Sequence, residues 1–218
     1  MLFRSFSRRI VKNLSAKAKD TLANELPQIK FSATLLAQKI EANPEQKIYL
    51  EIGIGNGEHF IHQAKINKEA LFIGAEVYLN GIANTIMQAK QRTINNILLW
   101  PDDLDLMIQD LPSKNLAGIY ILFPDPWPKR KQQKKRIFNE LRFNIFKDKL
   151  KDGGFINFAS DIKDYFTKVN DIILADQSFE LKSQNFDFPH ENYIATKYHQ
   201  KAILENRKPQ FLQVIYRT

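Results

Sequence analysis

The chain has 218 residues, of which 44% are hydrophobic, so it can bury a sizeable core as one domain or as one domain with an arm. Its net charge of +8, from 32 basic and 24 acidic side chains, favours a polyanionic partner. It contains no cysteine and no apolar run of about 18 residues. Disulfides, thiol nucleophiles and thiolate metal sites are therefore excluded, and we expect no metal and no membrane span.

The N-terminal segment is basic. Residues 1–19 contain no acidic residue and six basic ones: Arg4, Arg8, Arg9, Lys12, Lys17 and Lys19. Such a composition is typical of a mitochondrial transit peptide or of a basic arm that contacts nucleic acid. Helices are predicted at 16–26 and 32–42, with Pro27 and Pro44 as breaks. We therefore predict an arm with leading helices over residues 1–45 and a separate domain over residues 46–218.

From Lys47 onward, predicted strands alternate with predicted helices. The strands are 48–52, 71–76, 96–100, 118–123, 155–159, 179–185 and 211–217. The helices are 59–67, 79–92, 137–150, 162–174 and 197–206, and a turn is predicted at 151–154. This alternation predicts an α/β fold with a doubly wound, mostly parallel sheet of seven strands. The two late strands predict an antiparallel pair at its C-terminal edge.

A glycine-rich loop follows the first strand. Gly53, Gly55 and Gly57 alternate with other residues between a strand and a helix, where glycine lets the backbone approach a ligand closely. The spacing is G-x-G-x-G, whereas a nicotinamide dinucleotide site would have G-x-G-x-x-G. The loop therefore predicts a small-molecule site of another kind.

Acidic residues occur at three successive strand ends. Glu51 lies inside the first strand, where a carboxylate is costly unless it binds a cation or a donor. Glu76 ends the second strand and could accept from both hydroxyls of a ribose, and Asp103 follows the third strand, where it could reach an adenine amino group. Each acid alone could be a solvated strand-end residue. Together they predict a site for S-adenosylmethionine.

The segment after the fourth strand combines an acid, an aromatic ring and a cationic run. Pro124, Pro126 and Pro128 hold Asp125 and Trp127 in a restricted turn, because each proline fixes φ and lacks an N–H. The next eight residues, 129–136, contain six basic side chains. Taken singly, Trp127 is more simply explained by packing, and the basic run by a solvated helix face. The combination favours chemistry on a nucleobase whose phosphate backbone is bound alongside.

The histidines suggest no metal site. His59 and His62 are spaced to share one helix face, but no third ligand is evident. We therefore expect this pair to lie on the surface.

With these motifs in hand, the chain resembles a class I S-adenosylmethionine-dependent methyltransferase with a Rossmann-like fold, and specifically the bacterial tRNA (guanine-N7-)-methyltransferase family. The matching stretches are LEIGIGNGE (50–58), IGAEV (73–77), Asp103, FPDPWPK (123–129) with its basic continuation, SD (160–161) and TKY (196–198). The N-terminal RSFSRR also resembles the family's basic arm, which favours an arm over a transit peptide. The resemblance implies a cytoplasmic enzyme, a monomer or homodimer, that methylates N7 of the guanosine at position 46 in the tRNA variable loop.

The resemblance also implies roles for individual residues. Glu51, Glu76, Asp103 and Asp125 would contact S-adenosylmethionine beside the glycine loop, with Asp125 at the catalytic position. Contacts to the RNA would come from two groups of residues. They are Lys129, Lys131, Gln132, Gln133, Lys134, Lys135 and Arg136 in the basic run, and Asp161, Thr196, Lys197, Tyr198 and His199 further along.

One position departs from the family pattern. The family usually has glutamate where this chain has His199, so a carboxylate contact to the guanine N1–H or N2–H would have to come from Asp161 or Asp125. Two alternatives stay open: a methyltransferase acting on another RNA base position, such as an exocyclic amine, and a catalytically silent RNA-binding protein on the same fold. A dinucleotide oxidoreductase is a less favoured alternative than these two.

Overall fold

The structure is a computed structural model that describes residues 14–182 and 190–218. The chain divides into two compact units after Leu111. Arg4, Arg8, Arg9 and Lys12 of the expected basic arm lie outside the described residues. No described helix is long and apolar enough to cross a membrane.

The first unit contains a parallel three-stranded portion of the sheet. Its helices are α1 (Ala16–Asn24), α2 (Leu26–Ile29), α3 (Ala33–Ala42), α4 (Glu58–Ile66) and α5 (Leu79–Gln91). Its strands are β1 (Ile48–Ile52), β2 (Leu71–Ala75) and β3 (Ile97–Trp100), followed by two short 3-10 helices (Leu104–Leu106 and Ile108–Asp110). The strands pair in parallel, β1 with β2 and β2 with β3.

The leading helices pack within this first unit. Lys30 forms a parallel bridge to Leu99 of β3, and the Phe31 N–H donates to the Leu99 carbonyl at 2.8 Å. The Phe31 ring is buried and makes an edge contact with Trp100, with ring centroids 6.3 Å apart. The segment between α2 and α3 therefore pairs with the backbone of β3, which would otherwise expose unpaired groups at the sheet edge.

The second unit contains the remaining strands. They are β4 (Leu116–Leu122), β5 (Leu150–Ser160), β6 (Phe179–Leu181) and β7 (Gln210–Tyr216). The helices are α6 (Glu140–Lys149), α7 (Lys163–Leu174) and α8 (Lys197–Leu204), with a 3-10 helix at Arg130–Lys135. β4 and β5 pair in parallel, whereas β7 is antiparallel to both β5 and β6.

The predicted fold class is confirmed. All seven strands belong to one sheet in the order β3-β2-β1-β4-β5-β7-β6, mostly parallel with an antiparallel pair at the C-terminal edge. The turn predicted at 151–154 is wrong, because β5 continues through it. Gly153 has a φ of 72°, and the β4–β5 register shifts between Leu116 and Gly118, so the glycines form an irregularity inside the strand. The prediction for strand residues 183–185 lies outside the described residues.

Aromatic packing forms the core of the second unit. Phe138 contacts Phe146 and Phe158, with ring centroids 5.7 Å apart in each case. Tyr165 of α7 is fully buried against Phe158, and its hydroxyl accepts a hydrogen bond from the Phe138 N–H at 3.0 Å. Burial raises the pKa of Tyr165, so the phenol stays neutral. This hydroxyl satisfies a backbone donor at the start of the segment that leads into α6.

Replacing Tyr165 with phenylalanine tests this hydrogen bond. The change leaves the Phe138 N–H buried without its acceptor, so the free energy of unfolding should fall by about 1–3 kcal/mol. Urea denaturation of the full chain measures it. The matched control is Tyr198→Phe at a tyrosine that is 55% exposed, where the change should stay within about 0.5 kcal/mol. Equal effects at the two tyrosines would contradict a specific role for the buried hydroxyl.

Candidate cofactor and nucleic-acid sites

The glycine loop adopts a backbone that other residues would strain. Gly53, Gly55 and Gly57 have φ values of 78°, 57° and 83°, all in the left-handed region. A Cβ on Gly57 would lie 2.4 Å from the Thr85 hydroxyl oxygen, so this glycine is also required for packing. At Gly53 no atom lies within 4 Å of where a Cβ would be. The space beside Gly53 is therefore open to a ligand.

Helix α5 packs against the glycine loop and holds its shape. A Cβ on Gly81 would lie 2.0 Å from the Gly55 carbonyl oxygen, so helix and loop approach more closely than any larger residue allows. The Gln88 amide donates to the Asn56 carbonyl at 2.7 Å, and the Asn84 amide donates to the Asn56 side chain at 3.3 Å. The loop shape is therefore set within the first unit by its own packing.

Glu51 is buried and paired with a histidine. Its side chain lies in β1 with the residue 3% exposed, and Oε2 is 2.7 Å from Nδ1 of His59 on α4. His59 is itself 1% exposed, so the expectation that His59 and His62 form a surface pair is wrong for His59. The helix period turns His59 inward, where it orients the carboxylate of Glu51.

Glu76 joins the end of β2 to the glycine loop. Its two carboxylate oxygens accept from the Gly55 N–H at 2.9 Å and from the Tyr78 N–H at 2.8 Å. The carboxylate thus holds the loop and the start of α5 together. The ribose contact expected for Glu76 would have to share these oxygens, which have further lone pairs to offer.

Asp103 is almost completely buried. It precedes the first 3-10 helix, where its carboxylate accepts from the Asp105 N–H at 3.1 Å. Its carbonyl accepts from the Trp100 indole N–H at 2.8 Å, which fixes the turn after β3. Glu51, Glu76 and Asp103 therefore lie at the ends of three adjacent parallel strands of the first unit, where ligands of open α/β sheets bind.

These three carboxylates and the glycine loop fit S-adenosylmethionine, the cofactor that the sequence predicts. The open space beside Gly53 admits a ligand close to the backbone. The buried carboxylates of Glu51 and Asp103 and the partly buried carboxylate of Glu76 can accept hydrogen bonds from an ammonium group, an amino group and hydroxyls. Among the residues that the structure describes, no group of three or more histidine, aspartate or glutamate side chains could hold a metal ion.

In the second unit, the chain turns sharply after β4. The Phe123 N–H still donates to the Ala159 carbonyl at 2.8 Å, but Phe123 has a φ of 52° and Trp127 a φ of 40°. Left-handed φ values are uncommon for bulky residues and require support from their surroundings. The turn leaves Asp125 exposed and Trp127 partly exposed, with the Lys135 ammonium 4.8 Å from the centre of the indole ring.

The basic run divides into two kinds of residue. Lys129, Arg130, Lys131 and Lys134 are exposed, whereas Gln132, Gln133 and Lys135 are partly exposed. They lie on or beside the 3-10 helix Arg130–Lys135. The exposed cations form a surface that can bind a phosphate backbone.

Arg136 differs from the rest of the run because it is 2% exposed. Its Nε donates to the Pro126 carbonyl at 2.9 Å, its Nη2 donates to Asp164 at 2.8 Å, and its guanidinium lies 4.5 Å from the centre of the Tyr165 ring. These contacts tie the turn that carries Asp125 to α7. We therefore interpret Arg136 as a residue that positions this turn.

Asp161 and the Thr196–His199 segment have separate partners near the two ends of α8. Asp161 follows β5 and forms an ion pair with Arg207, which also donates to Glu205 at the end of α8. Thr196 caps the start of the same helix, and its hydroxyl accepts from the His199 N–H at 3.2 Å. Lys197 and Tyr198 are exposed in the first turn of α8. A residue just after α8 therefore pairs with Asp161, whereas Thr196, Lys197 and Tyr198 lie at the start of that helix.

His199 faces the protein. Its ring stacks on Phe123, with centroids 5.5 Å apart and an interplanar angle of 28°, and Nδ1 shares a hydrogen bond with the Tyr193 hydroxyl at 2.8 Å. Burial lowers the pKa of His199, which favours the neutral ring.

Sequence reasoning missed several residues that support the site. The spacing of His59 from Glu51 across a strand, a glycine loop and a helix start offered a signal, since a buried strand acid needs a partner. Arg207, Tyr193 and Gln88 offered none, because each reaches its partner only through the fold.

Comparisons with known proteins agree with this architecture. A family model described as "Putative methyltransferase" matches residues 45–212. A bifunctional methyltransferase of Rickettsia conorii is 53% identical over 97% of this chain, and the chain spans 40% of that relative's length. A tRNA (guanine-N(7)-)-methyltransferase of Agrobacterium fabrum is 34% identical over 97% of this chain and 94% of its own length, and one of Wolbachia pipientis is 34% identical over 85% and 83%.

Solved structures share the fold at low sequence identity. The 16S rRNA methyltransferase KamB superposes with a TM-score of 0.63 at 12% identity, covering 87% of this chain and 95% of KamB. An rRNA methylase from Streptococcus thermophilus has a TM-score of 0.55 at 12% identity, covering 86% and 98%. S-adenosylmethionine is the methyl donor that the family match implies. Because relatives with this activity in their names are 34% identical over most of both chains, and a methyltransferase family model matches residues 45–212, the chain belongs to the tRNA (guanine-N7-)-methyltransferase family.

Proposed function

We propose that this chain transfers a methyl group from S-adenosylmethionine to N7 of the guanosine at position 46 in the tRNA variable loop, giving 7-methylguanosine. The observation that carries the proposal is the similarity to tRNA (guanine-N(7)-)-methyltransferases over 83% to 94% of their lengths. The geometry supports it, since each unit holds its expected polar residues at strand ends. We also propose residues 46–218 as the methyltransferase domain, and a cytoplasmic monomer or homodimer.

In this proposal the first unit binds the methyl donor. Glu51 would accept from the amino group of the cofactor, Glu76 from its ribose hydroxyls and Asp103 from its adenine amino group, while the backbone at Gly53 would approach it closely. When bound, S-adenosylmethionine supplies a methyl group made electrophilic by its sulfonium. The residues of this unit contribute orientation, because His59 and α5 fix the acids and the loop in advance.

The acceptor needs no general base. Guanine N7 carries an in-plane lone pair, so positioning and electrostatics suffice for reactivity. Methylation leaves positive charge on the guanine ring, and a nearby carboxylate interacts more strongly with the ring once that charge develops. We assign this role to Asp125, with Trp127 as a wall or stacking surface and Asp161 as a reader of the base edge. The guanine would have to leave its stack to reach them, which a tRNA loop permits.

The proposed RNA contacts come from exposed and partly exposed residues of the second unit, together with Thr196, which is buried at the cap of α8. Lys129, Lys131 and Lys134 would neutralise phosphates, with Gln132, Gln133 and Lys135 beside them. Thr196, Lys197 and Tyr198 at the start of α8 would contact the nucleoside or its neighbours.

Methyl transfer to unmodified tRNA tests the function as a whole. Labelled S-adenosylmethionine is incubated with the full chain and tRNA, and the product nucleoside is identified by mass and chromatography. We expect 7-methylguanosine, which should disappear when the variable-loop guanosine is replaced. Methylation of an exocyclic amine would favour a different base position, and tight tRNA binding without transfer would favour an RNA-binding protein.

Asp125→Asn separates chemistry from binding. Because the exposed carboxylate is proposed to act on charge that develops during transfer, turnover should fall by about 100-fold, within the range for removal of one electrostatic group. The dissociation constant for S-adenosylmethionine should change far less, as measured by calorimetry. Asp171→Asn, at another exposed acid of this unit, is the matched control and should keep full turnover. Unchanged turnover in Asp125→Asn would refute the assignment.

The basic surface should make tRNA affinity depend on salt. Each of Lys131→Ala and Lys134→Ala removes one exposed cation, so the slope of log affinity against log salt should fall by about 0.7–0.9 for each phosphate that is no longer neutralised. Filter binding over a salt series measures the slope. The control Lys68→Ala removes an exposed lysine of the first unit and should leave the slope unchanged. Affinity that does not vary with salt would contradict this surface.

A further inference from the structure

The turn that carries Asp125 begins with a conformation that needs external support. Phe123 has a φ of 52°, although it is bulky and only 7% exposed. Phenylalanine has neither the missing Cβ of glycine nor the local side-chain hydrogen bond of asparagine, which are the features that favour the left-handed region. The contacts around the Phe123 ring must therefore keep this backbone in place, and Asp125 follows only two residues later.

An aromatic cluster supplies this support. We define the Phe123 cluster as Phe123, Tyr193, His199 and Phe211. The His199 ring covers one face of Phe123 in a nearly parallel stack. Phe211 of β7 contacts Phe123 edge-on, with ring centroids 6.1 Å apart. Tyr193 packs against both His199 and Phe211, with centroid distances of 5.6 Å and 5.5 Å. The cluster thus links the start of α8 and β7 to the turn after β4.

His199 is committed to this cluster by two separate contacts. One face of the imidazole lies on Phe123, and Nδ1 is engaged with the Tyr193 hydroxyl. The Thr196 cap at the start of α8 holds the His199 backbone as well. An imidazole ring that turned outward to read the edge of a guanine would have to leave both Phe123 and the Tyr193 hydroxyl. The observed arrangement serves packing and orientation.

We propose that His199 is a positioning residue, which stacks on Phe123 to hold the left-handed turn that places Asp125, and that it does not contact the guanine. This inference rests on the proposed methyl transfer and refines the role of one residue in it. The inference predicts which side chains can replace His199. A flat, uncharged ring preserves the stack, whereas a carboxylate would be repelled by the face of the Phe123 ring and would turn outward to water.

Substitutions at His199 distinguish positioning from base reading. His199→Phe keeps the stack and should retain kcat within about twofold, whereas His199→Glu and His199→Ala should lower kcat by about 10-fold or more through misplacement of Asp125. The Michaelis constant for tRNA should stay within about twofold of the parent, because these variants remove no interaction with the base. Gln200→Glu is the matched control, since it adds the same charge one residue further along α8, and its kcat should be unchanged.

A second measurement reports the turn directly. The Phe123 N–H donates to Ala159, so its hydrogen-exchange rate in the full chain follows the position of this residue. Exchange should accelerate in His199→Glu and His199→Ala and remain slow in His199→Phe. Binding of S-adenosylmethionine should be equal in all variants, which confirms that each is folded.

Two results would overturn the inference. One is a kcat for His199→Glu at or above the parent value with a lower Michaelis constant for tRNA, which would mean that a carboxylate here reads the base. The other is a His199→Ala protein with parental kcat and parental Phe123 exchange. Failure of the proposed function is separable, since the parent chain would then form no 7-methylguanosine in the same assay.

Discussion

The candidate sites depend on a constraint at the carboxyl ends of the parallel strands, where the chain must turn at once and often through left-handed residues. After β1 the turn uses three glycines, for which such φ values carry no steric penalty. After β4 it uses Phe123 and Trp127, for which they do. The two turns are therefore stabilised differently. Glycine adopts the first without strain, and side-chain packing must hold the second.

Contacts within the protein do much of this stabilisation. In the first unit the Gly55 N–H donates to Glu76, and Gln88 donates to the Asn56 carbonyl, so the loop has its shape before any ligand binds. In the second unit Arg136 binds the Pro126 carbonyl, and His199 covers the Phe123 ring. Sites held in this way lose little conformational freedom when a substrate arrives, which favours both binding and catalysis.

The two units differ in where their charged side chains lie. Acids that are buried or partly buried lie at the strand ends of the first unit, where each has a defined partner, such as His59 for Glu51. Exposed cations of the 3-10 helix cover part of the second unit, where solvent or a polyanion can meet them. Arg136 shows that composition alone does not separate these roles. It belongs to the basic run in sequence, yet it is buried and paired with Asp164.

The sequence by itself determined the fold class, because alternating strand and helix patterns with glycine and proline breaks permit few other topologies. It also located Glu51, Glu76, Asp103 and Asp125 at strand ends, since motif position follows from strand order. Only the tertiary structure decided which side chains meet. His59 turns inward to Glu51, residues 151–154 continue β5, and His199 stacks on Phe123, a residue far earlier in the chain. Such contacts depend on packing between segments that are distant in sequence, and local sequence patterns do not predict that packing.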